Sequence, residues 1–527
     1  MSSRARLLFE ATNLRWMAYA GIGLTLLVSG ICYLYFPLGY NQALYHYVGT
    51  VLRGGGVPYK DFIDIKGPLG LWFYALPGVL LGPSEIAYRL FDLAVMLAIG
   101  FGIFKLVRLS CSALAALLAA LIWFIHFLMD GPGNTGDVTN LITLAVVIVL
   151  LLLQGHGKNR FTAIGATVAA AALVKPTAIL LMLPATVWCL LAERSQKGHR
   201  IVRDGLLFLG GAALLMVSAA AFLFATASFK PFYETVVIDA FTSYVPHTQL
   251  VPAHNVHGIG QWLLHDPVFR VGGLIALFLA GRKARIYQIT ALGGMTSVIV
   301  QSRFFPYHFS PILPLLAIGC ILGWSKIANL QEWLQSGKFA TLSVSFACIL
   351  LLAQPLTLVA KDLRIIYKAN SCEELSRLFL LPDLKSRYSG RLAVAKRLRP
   401  LLKERDTLYV LGSDVGIYLE LDKVAPFRHA NPTYVLYDYG RKPVNFVRSK
   451  WRSEILAFMQ ENHSDWLVVD TDLWRQLDPE ARTLITAELG PHYKMLFDLG
   501  DYRIYQRLPH AEPRTLSLRR EAKQHDD

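Results

Sequence analysis

The stretch Gly54-Gly-Gly-Val-Pro-Tyr-Lys-Asp-Phe-Ile-Asp-Ile-Lys-Gly-Pro-Leu69 decides how the rest of the chain is read. A glycine triplet and prolines at 58 and 68 specify irregular backbone, since neither residue type sustains a helix or strand interior. An apolar run over 16–36 comes just before it, which puts the irregular stretch at a membrane surface. Such backbone is tolerated there only where it is buried in protein or lines a wet cavity. Asp61 and Asp64 lie three residues apart, with Lys60 and Lys66 flanking them. A carboxylate can take a proton from a hydroxyl, and an ammonium can hold a phosphate as charge develops on it. The alternative for the same four charges is a merely solvated surface loop.

Working outward, 54% of the 527 residues are hydrophobic and 17% are charged, a bias that soluble domains do not carry. Apolar runs near the ~20 residues that cross a ~30 Å hydrocarbon core recur from Trp16 to about Val359. The predicted spans are 16–36, 85–104, 112–129, 137–153, two shorter runs around Lys175-Pro176, 204–227, 267–281, 286–301, 308–324 and 338–359, about eleven in all. The net charge of +15 sits mostly in short loops between these runs, which argues for topology signals and against a nucleic-acid surface. Arg4, Arg6 and Arg15 place the amino terminus in the cytoplasm, and residues 37–83 become the first outer loop. Within that loop, Tyr40 to Arg53 and Leu69 to Leu81 suit helices lying in the interface. The six cysteines show no CxxC spacing, and histidines 247, 254 and 257, in the long outer loop expected from Phe229 to His265, match no firm metal-ligand pattern.

From about Lys361 amphipathic helices alternate with β-rich runs at Thr407–Leu411, Asp465–Asp470, Lys494–Leu499 and Tyr502–Arg507. The expected organisation is therefore a membrane module over 1–360, an outer α/β domain over 361–509 and a disordered tail over 510–527.

The string at 56–69 resembles the signature loop of the bacterial GT-C glycosyltransferases, the integral-membrane group that includes protein mannosyltransferases and the aminoarabinose transferase of lipid A. Gly133-Asn-Thr-Gly-Asp137, Leu173-Val-Lys-Pro-Thr177 and Arg303-Phe-Phe-Pro-Tyr-His-Phe309 agree with it in order and spacing, as does the soluble end. The resemblance implies a polytopic α-helical GT-C fold in a bacterial inner membrane, with a periplasmic carboxy-terminal α/β domain. It also implies sugar transfer from a polyprenyl-phosphate donor to a cell-envelope lipid, glycan or protein. One departure stands out. Many relatives begin the first interfacial helix with a catalytic acid, whereas Asn41, preceded by Tyr40, occupies that position here.

The base is then expected at Asp64, two residues from Lys66, the lysine that the resemblance assigns to the donor phosphate, with Asp61 as the other candidate. Lys60, Lys175, Arg303 and His308 are further phosphate candidates. Snorkelling for the lysine in the Lys-Pro break and an interfacial basic belt for the Arg303 cluster are the competing explanations. Asp137, Asn41 and Tyr307 are expected to position the acceptor or a divalent cation (Mg or Mn), with a plain helix N-cap as the alternative for Asp137. No other cofactor is expected. A transporter or flippase and a non-catalytic envelope scaffold are the competing functional classes.

Overall fold

The computed structural model describes residues 3–157, 159–192, 199–244, 252–333, 359–369, 382–436, 445–461 and 464–509, with isolated positions between 353 and 374. Most of the predicted span at 338–359 and all of the tail lie outside these residues. The first nine helices are α1 (Ser3–Leu34), α2 (Tyr40–Arg53), α3 (Pro68–Leu81), α4 (Glu85–Arg108), α5 (Ala113–Leu128), α6 (Thr139–Gln154), α7 (Arg160–Val174), α8 (Ile179–Ala192) and α9 (His199–Ala225). Stretches Trp16–Leu34, Glu85–Arg108, His199–Ala225 and Pro306–Lys326 are long and apolar enough to cross a membrane; α5 to α8 are apolar but shorter. The Ser84 side chain caps α4, and Lys105 and Arg108 close its last turn, which suits the macrodipole and the charge asymmetry of the loops. On α9, Leu206, Leu209, Leu214 and Val217 are all more than 60% exposed, as expected of a face turned to lipid.

Two parts of the region around the predicted outer loops carry structure that the sequence pattern does not show. The segment read as a long loop from Phe229 to His265 is helical over Phe229–Phe232, Tyr233–Tyr244 (a π-helix) and Pro252–His265. This last helix turns by 105° into Pro267–Leu279, because Pro267 cannot continue it and Asp266 caps the next helix through the Phe269 amide. The second concerns α2, whose packing the sequence pattern does not show. Residues Gln42 to Val51 are buried, wedged between α3 and the carboxy-terminal helix Gly416–Glu420. α3 has 14 residues and so is about 21 Å long at 1.5 Å per residue, too short to span. Glycines set the α2–α3 contact: a Cβ at Gly49 would meet the Ala75 carbonyl oxygen at 2.4 Å, and one at Gly78 the His46 oxygen at 2.9 Å.

Arg89 fixes the loop ends above these helices. Fully buried, it donates from Nε to the Phe36 oxygen (2.9 Å) and from Nη2 to the Pro37 (2.6 Å) and Pro132 (3.2 Å) oxygens. Its Nη1 reaches the Tyr33 hydroxyl (3.0 Å) and the Thr135 oxygen (3.2 Å). One side chain thus satisfies carbonyls of both the first and second outer loops. Tyr88 adds a bond to the Gly136 oxygen (2.6 Å), and Gln42 one to the Thr135 oxygen (2.6 Å).

His46, on α2, is fully buried beside Tyr88, with neither ring nitrogen hydrogen-bonded among the described residues, and burial lowers its pKa from the usual value to about 4. The unfolded chain takes up this proton near pH 6.5 and the folded chain only near pH 4, so stability falls as pH drops through that window. The cost approaches about 3 kcal/mol by pH 4. A His46→Phe variant is expected to lose that part of the decline in melting temperature between pH 6.5 and pH 4. Parallel melting curves for the two proteins would remove His46 as the cause.

The carboxy-terminal part contains a four-stranded sheet in the order β1-β2-β4-β3: β1 (Leu408–Leu411), β2 (Trp466–Asp470), β3 (Tyr493–Asp498) and β4 (Tyr502–Arg507). The expected strands thus form, each within a residue of its predicted limits. β1 and β2 are parallel, linked through the helix Phe446–Glu461, and every residue in both is buried, as strands covered on two faces require. β3 and β4 form a hairpin around Gly500, whose φ of +82° glycine accepts at no steric cost. This α/β part seats on the outer loops. Ion pairs join Arg391 to Glu85 (3.2 Å) and Arg448 to Asp239 (2.7 Å), and the Ala425 amide donates to the Tyr47 hydroxyl (2.9 Å).

Candidate functional site

The decisive loop folds back on itself before it reaches the site. The Asp61 amide donates to the Val57 oxygen (2.8 Å) and the Tyr59 amide to the Phe62 oxygen (2.6 Å). Tyr59 takes a φ of +66°, an uncommon conformation for a residue with a Cβ. Its hydroxyl donates to the Lys66 oxygen (2.5 Å) and closes the loop from inside. Next along the chain, Ile63 is pinned from the other side: its amide donates to the Arg428 oxygen (3.1 Å), and its side chain is buried among Tyr409, Val435 and Trp451 in the carboxy-terminal core. Asp64 follows at once. The α/β part therefore fixes the position of a loop carboxylate.

Truncating this anchor has a foreseeable result. Ile63→Ala removes a buried branched side chain at a cost of roughly 2–5 kcal/mol, expected as faster amide exchange in the peptide spanning 57–66 by at least ~30-fold. Hydrogen exchange by mass spectrometry measures it. Unchanged protection there would show that the α/β part does not hold the loop.

Asp64 is buried and accepts from the Lys66 amide (2.9 Å), with the Lys66 Nζ at 3.5 Å. The ammonium of Lys66 also faces the Tyr45 ring, 5.3 Å from its centre. Gly67 permits this approach to α7, because a Cβ there would meet the Leu173 oxygen at 2.0 Å. The contact brings Lys66 within electrostatic reach of Lys175, at the break between α7 and α8, and Lys175 in turn senses Asp137. From the helix that begins at Pro306 comes His308, within reach of Lys175 and Arg303, its Nδ1 2.6 Å from the Arg303 oxygen. The Tyr307 ring lies 4.6 Å from the His308 ring and within electrostatic reach of Tyr45.

Asp137 stands at the entry to α6, 2% exposed, with its lone pairs engaged. Its Oδ2 accepts from Asn41 Nδ2 (2.9 Å) and from the Tyr45 hydroxyl (3.1 Å), and its Oδ1 from the Thr139 amide (3.2 Å). Val138, not Asp137, holds the cap position of α6; Asp137 takes the first helical amide from one residue earlier and also lies within electrostatic reach of Lys175. Asn41, where an acid was expected, delivers no charge itself; it holds the charge of Asp137 in place. Burial first, then Asp137, holds the Tyr45 phenol well above its usual pKa range, so it acts as a donor.

Asp64, Lys66, Asp137, Asn41, Lys175, Arg303, Tyr307 and His308 thus converge from four separated segments. Lys60 and Asp61 do not join them. Both are exposed on the turn, and Asp61 Oδ2 is occupied by the Val57 amide at 2.7 Å. Tyr45 and Tyr59 belong to the site and were not anticipated. Tyr45 lies four residues after Asn41, a spacing that puts both on one face of α2 and could have flagged it; the strained turn at Tyr59 leaves no such trace. Among the described residues, no group of three or more His, Cys, Asp or Glu side chains gathers as a metal site. For Mg or Mn the described residues offer only Asp137, which already accepts from three donors, and Asp64, which faces a lysine. His254 sits edge-on to Phe304 at 5.3 Å, while His247 lies outside the described residues.

Comparison with known proteins bears on the fold. The family model for dolichyl-phosphate-mannose-protein mannosyltransferase matches residues 65–224, which hold Lys66, Asp137 and Lys175. No curated protein matches the chain. Among solved structures, the apo form of ArnT from Cupriavidus metallidurans superposes with a TM-score of 0.58 at 12% identity, covering 95% of this chain and 98% of that one. The same protein bound to undecaprenyl phosphate gives 0.54 at 13% identity, covering 95% and 99%. The fold is the GT-C fold expected from the sequence.

Proposed function

We propose that this GT-C-fold membrane protein is a glycosyltransferase that moves a sugar from a polyprenyl-phosphate donor to a hydroxyl of a cell-envelope lipid, glycan or protein on the periplasmic face. The observation that carries the proposal is the gathering of the buried Asp64 and Asp137 with the half-buried Lys66 and Lys175, to which His308 adds Arg303. A lipid-borne phosphate reaches that depth without leaving the membrane. A nucleotide donor would have to cross it.

In the proposed step the acceptor oxygen attacks the anomeric carbon while the bond from that carbon to the phosphate oxygen breaks. The acceptor proton passes to Asp64, and the polyprenyl phosphate leaves with the bonding pair. Lys66, Lys175 and Arg303 stabilise the charge that grows on the phosphate. The resting contact between Lys66 and Asp64 fits this scheme. A donor phosphate competes with Asp64 for the ammonium. Asn41, Tyr45 and Asp137 act as a rigid wall that orients the acceptor, with Tyr307 and His308 opposite. The resemblance to ArnT supports the polyprenyl class of donor, since that protein was solved with undecaprenyl phosphate.

Deleting the protein and profiling envelope lipids and glycans by mass spectrometry tests this directly. A missing hexose, pentose or uronic acid is expected, and its mass names the transferred sugar. An unchanged envelope together with loss of solute movement across vesicles would favour a carrier instead. No change in either would leave the scaffold.

A further inference from the structure

An open cavity of about 290 Å³ lies outside the charged cluster, between the sheet and the start of α2. Its walls come from Tyr40, Ser413, Thr433, Asp470, Asp472 and Gln476, over an apolar patch from Leu473. Asp470 is the last residue of β2, and Ser413 follows β1 by two residues. The cavity thus opens at the carboxyl ends of two parallel strands, the place where open α/β sheets receive ligands. Its far wall, Tyr40, adjoins Asn41, which bonds to Asp137. Asp470 is held rigid as the cap of the helix Thr471–Gln476, accepting from the Asp472 and Leu473 amides at 2.9 and 3.2 Å. The Thr433 hydroxyl is buried there with no hydrogen-bond partner among the described residues.

Among the described residues the lining carries hydroxyls, carboxylates and an amide but no cation. Such groups accept and donate to vicinal hydroxyls, and two carboxylates repel a phosphate or a uronate. The volume is at the lower end for ligand sites, roughly 300 Å³, and suits a sugar ring better than a lipid chain. Building on the transferase proposal above, we infer that this cavity holds a neutral or amine-bearing sugar ring of the acceptor. The acceptor hydroxyl is then presented along α2 toward Asp64 and Asp137, while the donor phosphate is confined to the cationic cluster. Charge sorts the two substrates.

Saturation-transfer NMR on the purified full-length protein in nanodiscs tests this with galactose, N-acetylglucosamine, glucosamine and galacturonate as probes. At least one of the first three is expected to bind, and galacturonate is not. Gln476→Trp, which fills the cavity, is expected to weaken the bound sugar by about tenfold or more, and Asp472→Asn to weaken glucosamine about fivefold, through lost contacts of ~1–1.4 kcal/mol each. Melting curves establish that both variants fold. The inference is overturned by three results: no probe binding to the natural protein, equal binding in folded Gln476→Trp, or galacturonate binding as well as galactose. A transfer assay on the same variants separates the two proposals. Sugar binding that collapses in Gln476→Trp, with no transfer by any protein, upholds the cavity and sinks the transferase. Robust transfer with an unaltered acceptor KM in that variant sinks the cavity alone.

Discussion

Asp64→Asn is expected to lower sugar transfer by ~10²- to 10⁴-fold, about 3–5 kcal/mol of barrier, with donor binding nearly intact. An amide of the same shape keeps the bond from the Lys66 amide but cannot accept a proton from the acceptor hydroxyl. The loss should therefore fall on kcat. Asp61→Asn is the internal control. Its carboxylate only caps the turn at Val57 and is exposed, so it should cost the protein little and the rate less than about fivefold, in line with surface changes of about 0.5 kcal/mol. Membranes expressing each variant, assayed with a radiolabelled polyprenyl-phosphate sugar and checked for protein level, give the comparison. If Asp64→Asn retains full turnover while Asp137→Asn abolishes it, the base is Asp137. The acid absent at position 41 would then be supplied across space by the partner of Asn41.

Lys66→Met should remove ~10²- to 10³-fold from kcat/KM for the donor, because a cation aimed at a charge that develops in the transition state contributes several kcal/mol in a dry site. Lys66→Arg keeps the charge but changes its geometry, and should recover part of the activity. The methionine also leaves Asp64 buried without its ion pair. A thermal-stability measurement separates that cost from the catalytic one. If both KM and kcat for the donor survive in folded Lys66→Met, the phosphate is held elsewhere, and Lys175 is the next residue to change.

Much of the fold was legible because hydrophobic length and turn chemistry are local. The apolar runs at 16–36 and 85–104, the short α3 and the four strand segments each carry their own period and stop signals, and the structure keeps them within a few residues. The helices within Phe229 to His265 left no local trace because they are stabilised from outside. Asp239 pairs with Arg448 and Thr242 with Asn445, more than 200 residues away. The same reason explains α2. Its amphipathic pattern reads as interfacial, yet its outer side is covered by residues near Tyr418 and Ala425 that no local window can see.

The sequence alone determined that this is a membrane protein with a kinked, charged loop after its first helix, and which residue types that loop offers. Composition and period suffice for this, since each apolar run must satisfy its own backbone within the bilayer. Only the tertiary structure decided which charges work together. It turned Asp61 and Lys60 to solvent, drew Asp137, Lys175 and Arg303 toward Asp64 and Lys66, and made Asn41 a holder of an acid. Electrostatic partnership depends on distance in space, and the residues that supply this cluster lie between positions 41 and 308 of the chain.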